Sequence, residues 1–282
     1  IVLGATGHVG SATVRALLDG GQQVVAVVHD AGKADIDCET AAVDIRDSDA
    51  LRDILRKGDR AFLINPPAPP ASDTDAEENR SVDAILLALD GAGLEKIVAA
   101  STYGARPGDA IGDSSVLYRF EQGLARQPIP AAINRGAYYF SNWDASLASA
   151  IEEGVIHTPY PADFVLPMVA PEDLGRAAAR RLTSGLDDIG IAHIEGPTRY
   201  TPHDVAATFA ALLDKHVDVR TVPREGIERM FLDLGFSTAG AHAYTRMTDA
   251  ALDGPELPDA PDRGTVTLWD YLAALVAAAS DR

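Results

Sequence analysis

The 282-residue chain predicts an α/β protein: an open, doubly wound parallel sheet carrying a smaller, mostly helical C-terminal lobe. Two observations predict it. Apolar runs alternate with amphipathic segments through the first 135 residues, as a parallel sheet with crossover helices requires. The first run also ends on a glycine-rich turn that opens a helix.

Ile1 to Leu3 reads as the end of a strand, as though the sequence began a few residues inside it. A helix follows from His8 to Asp19, with Val9, Thr13, Ala16 and Leu17 on one face, and Gly20-Gly21 stops it. Gln23 to Val28 is a continuous β-branched run of the kind covered on both faces. Thr40 to Val43, Arg60 to Ile64, Lys96 to Ala100 and Pro130 to Asn134 repeat that character. Helical patterns near Ser48 to Arg56, Ala76 to Leu89 and Ser115 to Arg126 lie between them. The proline-rich tract from Asn65 to Asp73 follows a strand end. It is either a rigid connector or a wall of the ligand crevice at the carboxyl edge of the sheet.

A first unit of residues 1–135 is therefore expected, with residues 136–282 as a substrate-covering lobe whose segments return to the sheet. In that lobe, helices are expected near Asn142 to Glu152, Pro171 to Thr183, Pro202 to Leu213, Arg224 to Leu234 and Leu268 to Ala278. Short strands are expected at Ile191 to Glu195 and Val217 to Val222, and a turn-rich acidic loop from Gly254 to Gly264.

Composition narrows the function. With 42 acidic and 24 basic side chains the formal net charge is -18, which argues against nucleic-acid and anionic membrane surfaces. No run of 18 apolar residues suggests a membrane span, and no signal peptide is expected from the opening Ile1-Val2-Leu3. The single Cys38 excludes an intrachain disulfide framework, so the expectation is a cytoplasmic monomer or homodimer acting on a small molecule. The seven histidines are scattered without ligand spacing, so no metal is expected, and no G-x-S-x-G elbow suggests a hydrolase.

The strongest local signal is Gly4-Ala5-Thr6-Gly7-His8-Val9-Gly10, a G-x-x-G-x-x-G turn between strand and helix, the mark of a Rossmann-type fold. Gly4 permits the tight turn, Gly7 lets backbone approach a pyrophosphate, and Gly10 allows the helix to pack closely on the sheet. The first-turn amides and the helix dipole then hold the phosphates. An acidic side chain at the tip of the second strand bonds the ribose 2′-hydroxyl of NAD, whereas a basic one meets the 2′-phosphate of NADP. Asp30, 20 residues past Gly10, favours NAD, while Lys33 lies within reach of a phosphate.

The glycine block resembles the opening of the atypical short-chain dehydrogenases, specifically the NmrA-like family. Val27-Val28-His29-Asp30-Ala31-Gly32-Lys33-Ala34, Val43-Asp44-Ile45-Arg46-Asp47, Phe62 to Pro66, Val98 to Tyr103 and Ile133 to Tyr139 are similar to its later blocks, in order. The resemblance implies a Rossmann fold, an NAD(P)H-dependent oxidoreductase acting on quinones or dyes, or alternatively a non-catalytic dinucleotide sensor. It leans to NADPH, with His29 at the family's phosphate-binding arginine position. It places Gly4, Thr6, Gly7, His8, Val9, Gly10, His29, Lys33, Asp44, Ile45, Asn65, Pro66 and Gln122 at the coenzyme.

Short-chain dehydrogenases use Ser, Tyr and Lys, the lysine lowering the tyrosine pKa and holding the ribose. Ser101 follows the fifth strand, and Tyr118 precedes Gln122 by four residues, so Y-x-x-x-K reads here as Y-x-x-x-Q. The chain's four lysines, at 33, 57, 96 and 215, suggest no substitute. Quinones and cationic dyes accept hydride without a positioned acid, so reduction survives the loss. Tyr103, Tyr138, Tyr139, Phe140 and Trp143 cluster just past strand ends, where they serve either as core or as cover for a planar substrate.

Overall fold

Short segments that are apolar on both faces pair in parallel and are covered by helices on each side. The structure is a computed structural model that describes residues 1–30, 37–254 and 257–280. Its main strands are β1 (Val25–Val28), β2 (Glu39–Ala42), β3 (Arg60–Leu63), β4 (Lys96–Thr102) and β5 (Ala131–Gly136). The later strands are β6 (Tyr138–Tyr139), β7 (Val155–Thr158), β8 (Met168–Val169), β9 (Gly190–Glu195), β10 (Asp218–Thr221) and β11 (Asp262–Arg263).

Val2 bridges Ala26 of β1 and Phe62 of β3, both in parallel, so the chain start fills the centre of the sheet. Across it the order is β2, β1, Val2, β3, β4, β5, β9, β11, every pairing parallel. This is the doubly wound Rossmann arrangement, and its strand order reverses beside Val2. Two further parallel pairs, β6 with β8 and β7 with β10, lie outside that sheet.

Helix α1 (His8–Asp19) and α6 (Pro171–Thr183) cover one face, burying Val9, Val14, Leu17, Leu174, Ala178 and Leu182 on Val2, Ala26, Phe62, Val98 and Ala132. The two helices run very close, since a Cβ on Gly175 would lie 2.4 Å from the backbone carbon of Ala12. Helices α2 (Ser48–Leu55), α3 (Thr74–Ala88) and α4 (Asp113–Leu124) cover the other face through Leu51, Leu55, Ile85, Val116, Phe120 and Leu124. A third core joins Phe140, Trp143, Leu147, Ile156, Tyr160, Leu166, Phe209 and Leu272, gathered partly from α5 (Ser146–Glu152), α7 (Pro202–Leu213) and α10 (Leu268–Ser280). Helices α8 (Ile227–Asp233) and α9 (Thr238–Leu252) form a hairpin against α3 and α4. No helix among the described residues is long and apolar enough to cross a membrane.

Helices α1, α6 and α7 take the bounds that periodicity and their Pro or Gly boundaries predict. The segment expected as a helix from Asn142 divides into a 3-10 turn, Phe140–Trp143, and α5. The acidic loop before the last helix contains β11, which extends the sheet beyond β9. Helix α9 has no counterpart among the elements expected from sequence. Its buried positions are Gly240, Ala241, Ala243 and Thr248, small or polar residues that draw no apolar stripe.

Candidate coenzyme and active site

The carboxyl edge of a doubly wound sheet is where strand ends splay and a ligand can enter. Gly4 turns the chain there with φ +64°, a left-handed conformation that favours glycine. A Cβ on Gly10 would stand 2.0 Å from the Gly4 carbonyl oxygen, so α1 can seat against the turn only because that atom is missing. At Gly7 a Cβ would meet the Gly4 oxygen at an ordinary 3.4 Å and nothing nearer, so the space outside it is open.

Gly7 is also the N-cap of α1 and supplies no side-chain cap, whereas Asp47, Asp73, Thr201 and Ser237 each cap their helix with a side-chain oxygen. The first-turn amides of α1 therefore depend on an outside acceptor. Thr6, Gly7 and His8 are exposed around them, while the Val9 side chain is buried in the core and leaves only its backbone to the crevice. His8 Nε2 lies 3.9 Å from Asp144, whose carboxylate accepts the Tyr271 hydroxyl at 3.0 Å, linking the turn to α10.

Of the other expected coenzyme residues, His29, Asp44, Ile45, Asn65 and Pro66 line the same edge, whereas Gln122 does not and lies on an outer groove of α4. Ala5 N–H donates to Val27 O at 3.2 Å, and Val43 N–H to Val28 O at 3.0 Å, which sets the glycine turn and the tips of β1 and β2 side by side. His29 and Asp44 are exposed at those tips, and Ile45 is half-buried against the core under α2 and α3. Asn65 and Pro66 follow β3, half-buried, and Asn65 Oδ1 is buried without a hydrogen-bond partner, an acceptor that a ligand hydroxyl would satisfy. Lys33 lies outside the described residues. An uncapped helix start, a cradle with room for phosphate and an orphaned buried acceptor together fit a dinucleotide.

The expected catalytic set is arranged differently. Ser101 is buried and donates to Glu121 Oε1 at 2.5 Å. The same carboxylate takes Arg135 Nε at 2.8 Å and Nη2 at 2.6 Å, so it is held on both oxygens. Tyr118 and Gln122 lie elsewhere on α4, lining an outer groove of about 540 Å³ with Asp75, Asn79, Arg119 and Arg126. The residue of α4 that reaches Ser101 is thus Glu121, one position before Gln122. Its signal was a carboxylate on a buried helix face, which requires a buried cation as partner.

Of the expected substrate residues, Phe140 and Trp143 are enclosed in the third core. Tyr138 packs edge-on against Trp143 at 5.9 Å and Tyr160 at 5.7 Å. Tyr103 packs edge-on to His193 at 5.1 Å, and burial, then the Glu195 carboxylate, push its hydroxyl pKa up. Tyr139 lies beneath Gly136 at the end of β5, where burial and then Asp113 push its hydroxyl up to about 12.

Sequence reasoning missed a pair of carboxyls, one of which, Asp113, acts on Tyr139. Glu78 is 2% exposed and accepts Ala68 N–H at 3.0 Å, pinning the proline-rich tract. It also faces Asp113 at the start of α4, and burial followed by the Asp113 charge raises its pKa to about 8. Burial raises Asp113 too, so the pair holds a proton near neutrality. Tyr244 of α9 is next to this group, its phenol raised by burial and by Asp113 and Glu78.

Comparison with known proteins extends this picture. The NmrA-like family model matches residues 1–255. An NAD(P)H azoreductase of Xenophilus azovorans is 23% identical over 251 residues, covering 88% of this chain and 85% of the relative. An NADPH-dependent quinone oxidoreductase of Escherichia coli, solved with NADPH, superposes with a TM-score of 0.77 at 21% identity over 97% of this chain and 98% of its own. A triphenylmethane reductase of Citrobacter sp., solved with NADP(H), gives 0.74 at 20% identity over 92% and 91%.

Proposed function

The chain belongs to the NmrA-like family, and from that premise we propose that it is an NAD(P)H-dependent oxidoreductase that reduces small, planar aromatic acceptors such as quinones. The observation that carries the reading is the cradle at Gly4, Gly7 and Gly10, open only outside Gly7 and floored by uncapped amides. A nicotinamide coenzyme bound there supplies a hydride. In this reading Thr6, Gly7, His8 and the backbone of Val9 and Gly10 face the diphosphate. His29, Asp44 and Ile45 border the adenosine, and Asn65 and Pro66 flank the middle of the crevice.

The acceptor class follows from what surrounds the reacting end. Reduction of a simple ketone needs an acid at the forming alkoxide, and Ser101 is committed to Glu121. Tyr118 and Gln122 face the outer groove. Quinones and azo compounds can take hydride and gain a proton from water afterwards, whereas a cationic dye is neutralised by the hydride itself and needs no proton. The chain's task is then to place the acceptor flat against the coenzyme and exclude water from that contact. Tyr139 stands where a planar acceptor would be covered. The names of the relatives, an azoreductase, a quinone reductase and a dye reductase, support this acceptor class.

Steady-state oxidation of NADH and NADPH against a panel of quinones and azo dyes tests the proposal. Turnover above background with at least one acceptor is expected. Tight coenzyme binding without oxidation across the panel would instead assign the chain as a dinucleotide sensor.

A further inference from the structure

A planar acceptor at the reacting end would reach over the outer strands of the sheet. We propose that this acceptor carries an anionic group, a carboxylate or sulfonate, and that Arg199 and Arg263 receive it; this rests on the oxidoreductase reading above. Strand order supports the placement. With the adenosine bordered by the tips of β1 and β2 and the diphosphate at α1, the nicotinamide extends toward β4 and β5, and what lies beyond it meets β9 and β11. Tyr103 N–H donates to Gly136 O at 3.1 Å, so Tyr103 leaves the end of β4 beside that of β5, and its ring packs on His193 of β9. Glu195 ends β9, and Arg263 of β11 is its register partner. Neighbouring strands stand roughly 5 Å apart, so an acid group on a two-ring aromatic at the end of β5 reaches this corner.

The corner holds more cation than anion. The Glu195 carboxylate is fully buried. Arg199 meets it with Nε on Oε2 at 3.0 Å and Nη2 on Oε1 at 2.9 Å, and Arg263 Nη1 reaches the same Oε2 at 2.8 Å. Among the described residues, two adjacent guanidiniums thus share one carboxylate, which leaves a surplus positive charge. Asp262, next to Arg263, is held instead by Arg180 at 2.5 Å. Both arginine side chains are partly exposed. Nη1 of Arg199 and Nε and Nη2 of Arg263 have no acceptor among the described residues. The Tyr103 hydroxyl is buried beside Glu195 without a hydrogen-bond partner, and burial, then that carboxylate, keep it protonated as a donor. Free N–H forks side by side are what a carboxylate or sulfonate takes with two oxygens. The net charge of -18 opposes anions at a distance, but screening confines that effect to about 8 Å at physiological salt, so the charges in contact decide affinity.

Calorimetric titration of the full chain with naphthalene-2-sulfonate and with its uncharged isostere naphthalene-2-sulfonamide tests the inference through affinity, without turnover. The sulfonate binds about tenfold or more tightly, and the gap narrows as salt is added. Arg263→Gln brings the two affinities to within about threefold, while Arg263→Lys keeps most of the gap. Glu195→Gln removes the competing anion and widens it. Should that variant unfold, Arg263→Gln decides, because Arg199 keeps both its bonds to Glu195 there. Arg220→Gln makes the same charge change on β10, outside the main sheet, and retains the parent's ratio. Equal affinities in the parent, binding of neither ligand, or a ratio that Arg263→Gln leaves unchanged or Arg220→Gln lowers as much, overturns the inference. Turnover of a neutral quinone alongside any of those results leaves the oxidoreductase reading standing. Sulfonate binding that depends on Arg263, with no turnover across the quinone and azo panel, overturns that reading and with it the acceptor role of the site.

Discussion

Replacing Glu78 by glutamine converts a buried acid into a permanently neutral amide of nearly the same shape. Its carbonyl oxygen still accepts the Ala68 N–H, and its amino group can donate to Asp113. In the parent, burial and the Asp113 charge raise the Glu78 carboxyl from 4.5 to about 8 in the folded state. The sign follows from proton counts. Between those two values the folded chain binds the proton and the unfolded chain does not, so stability falls as pH rises through the window. Below pH 4.5 both states are protonated and the effect is absent. At about 1.4 kcal/mol per pH unit, the full climb sets a ceiling of about 5 kcal/mol on the loss by pH 8.

Local opening of the proline-rich tract relieves part of this, so a difference of about 2–4 kcal/mol between variant and parent is expected at pH 8. At pH 5 the two should agree within about 1 kcal/mol. Urea unfolding followed by the fluorescence of Trp143 and Trp269, run from pH 5 to 8.5 on both proteins, measures it. Taking the variant-minus-parent difference at each pH cancels the other acidic groups. A difference that stays flat across the range, or a variant less stable than the parent at pH 8, would refute the paired-carboxyl reading.

Gly7→Val should weaken coenzyme binding by at least about a hundredfold with little change in melting temperature, because a branched side chain there fills the open space of the cradle rather than the core; titration and calorimetry separate the two effects. Gly10→Ala should instead destabilise the fold by about 3 kcal/mol or more, since its Cβ would lie 2.0 Å from the Gly4 oxygen and α1 must shift; a melting temperature equal to the parent's would contradict it. Glu121→Gln should cost about 3–5 kcal/mol, because Arg135 then loses the anion that neutralises it in a buried setting. Tyr118→Phe should leave kcat and KM for a quinone within about twofold, as its side chain faces the outer groove; a larger loss would return Tyr118 to the catalytic centre.

What could be read from sequence follows the physics of each element. The glycine turn, α1 and the parallel strands declare themselves because their rules are local: φ above zero at Gly4, a small residue at Gly10, apolar runs buried on both faces. Helix α9 does not, since small and polar side chains fill its buried positions. The candidate site divides in the same way. Its phosphate end is a continuous string of residues, while its reacting end is assembled across elements by partners far apart in the chain. Counting four residues from Tyr118 finds Gln122, but a helix turns 3.6 residues per cycle and presents its buried face by packing. That face carries Val116, Phe120 and Glu121, and the last of these meets Ser101 twenty residues away and Arg135 fourteen away.

These buried charges also bear on how the reacting end keeps its shape. Glu121 and Arg135 neutralise each other behind the ends of β4 and β5, and Ser101 adds a third bond to the same carboxylate. An isolated charge there would be costly, and the bidentate pair removes that cost while fixing α4 against the sheet. Glu78 and Asp113 do the converse: two like charges that cannot both ionise when buried, relieved by a shared proton. One pair makes α4 rigid toward the strand ends. The other makes its N-terminus and the proline-rich tract sensitive to pH. An aromatic acceptor over Tyr139 would therefore sit between a fixed floor and a wall whose protonation loosens or tightens it. The pH dependence of acceptor KM should then follow the Glu78–Asp113 pair and disappear in Glu78→Gln, while coenzyme affinity at the glycine cradle stays unchanged.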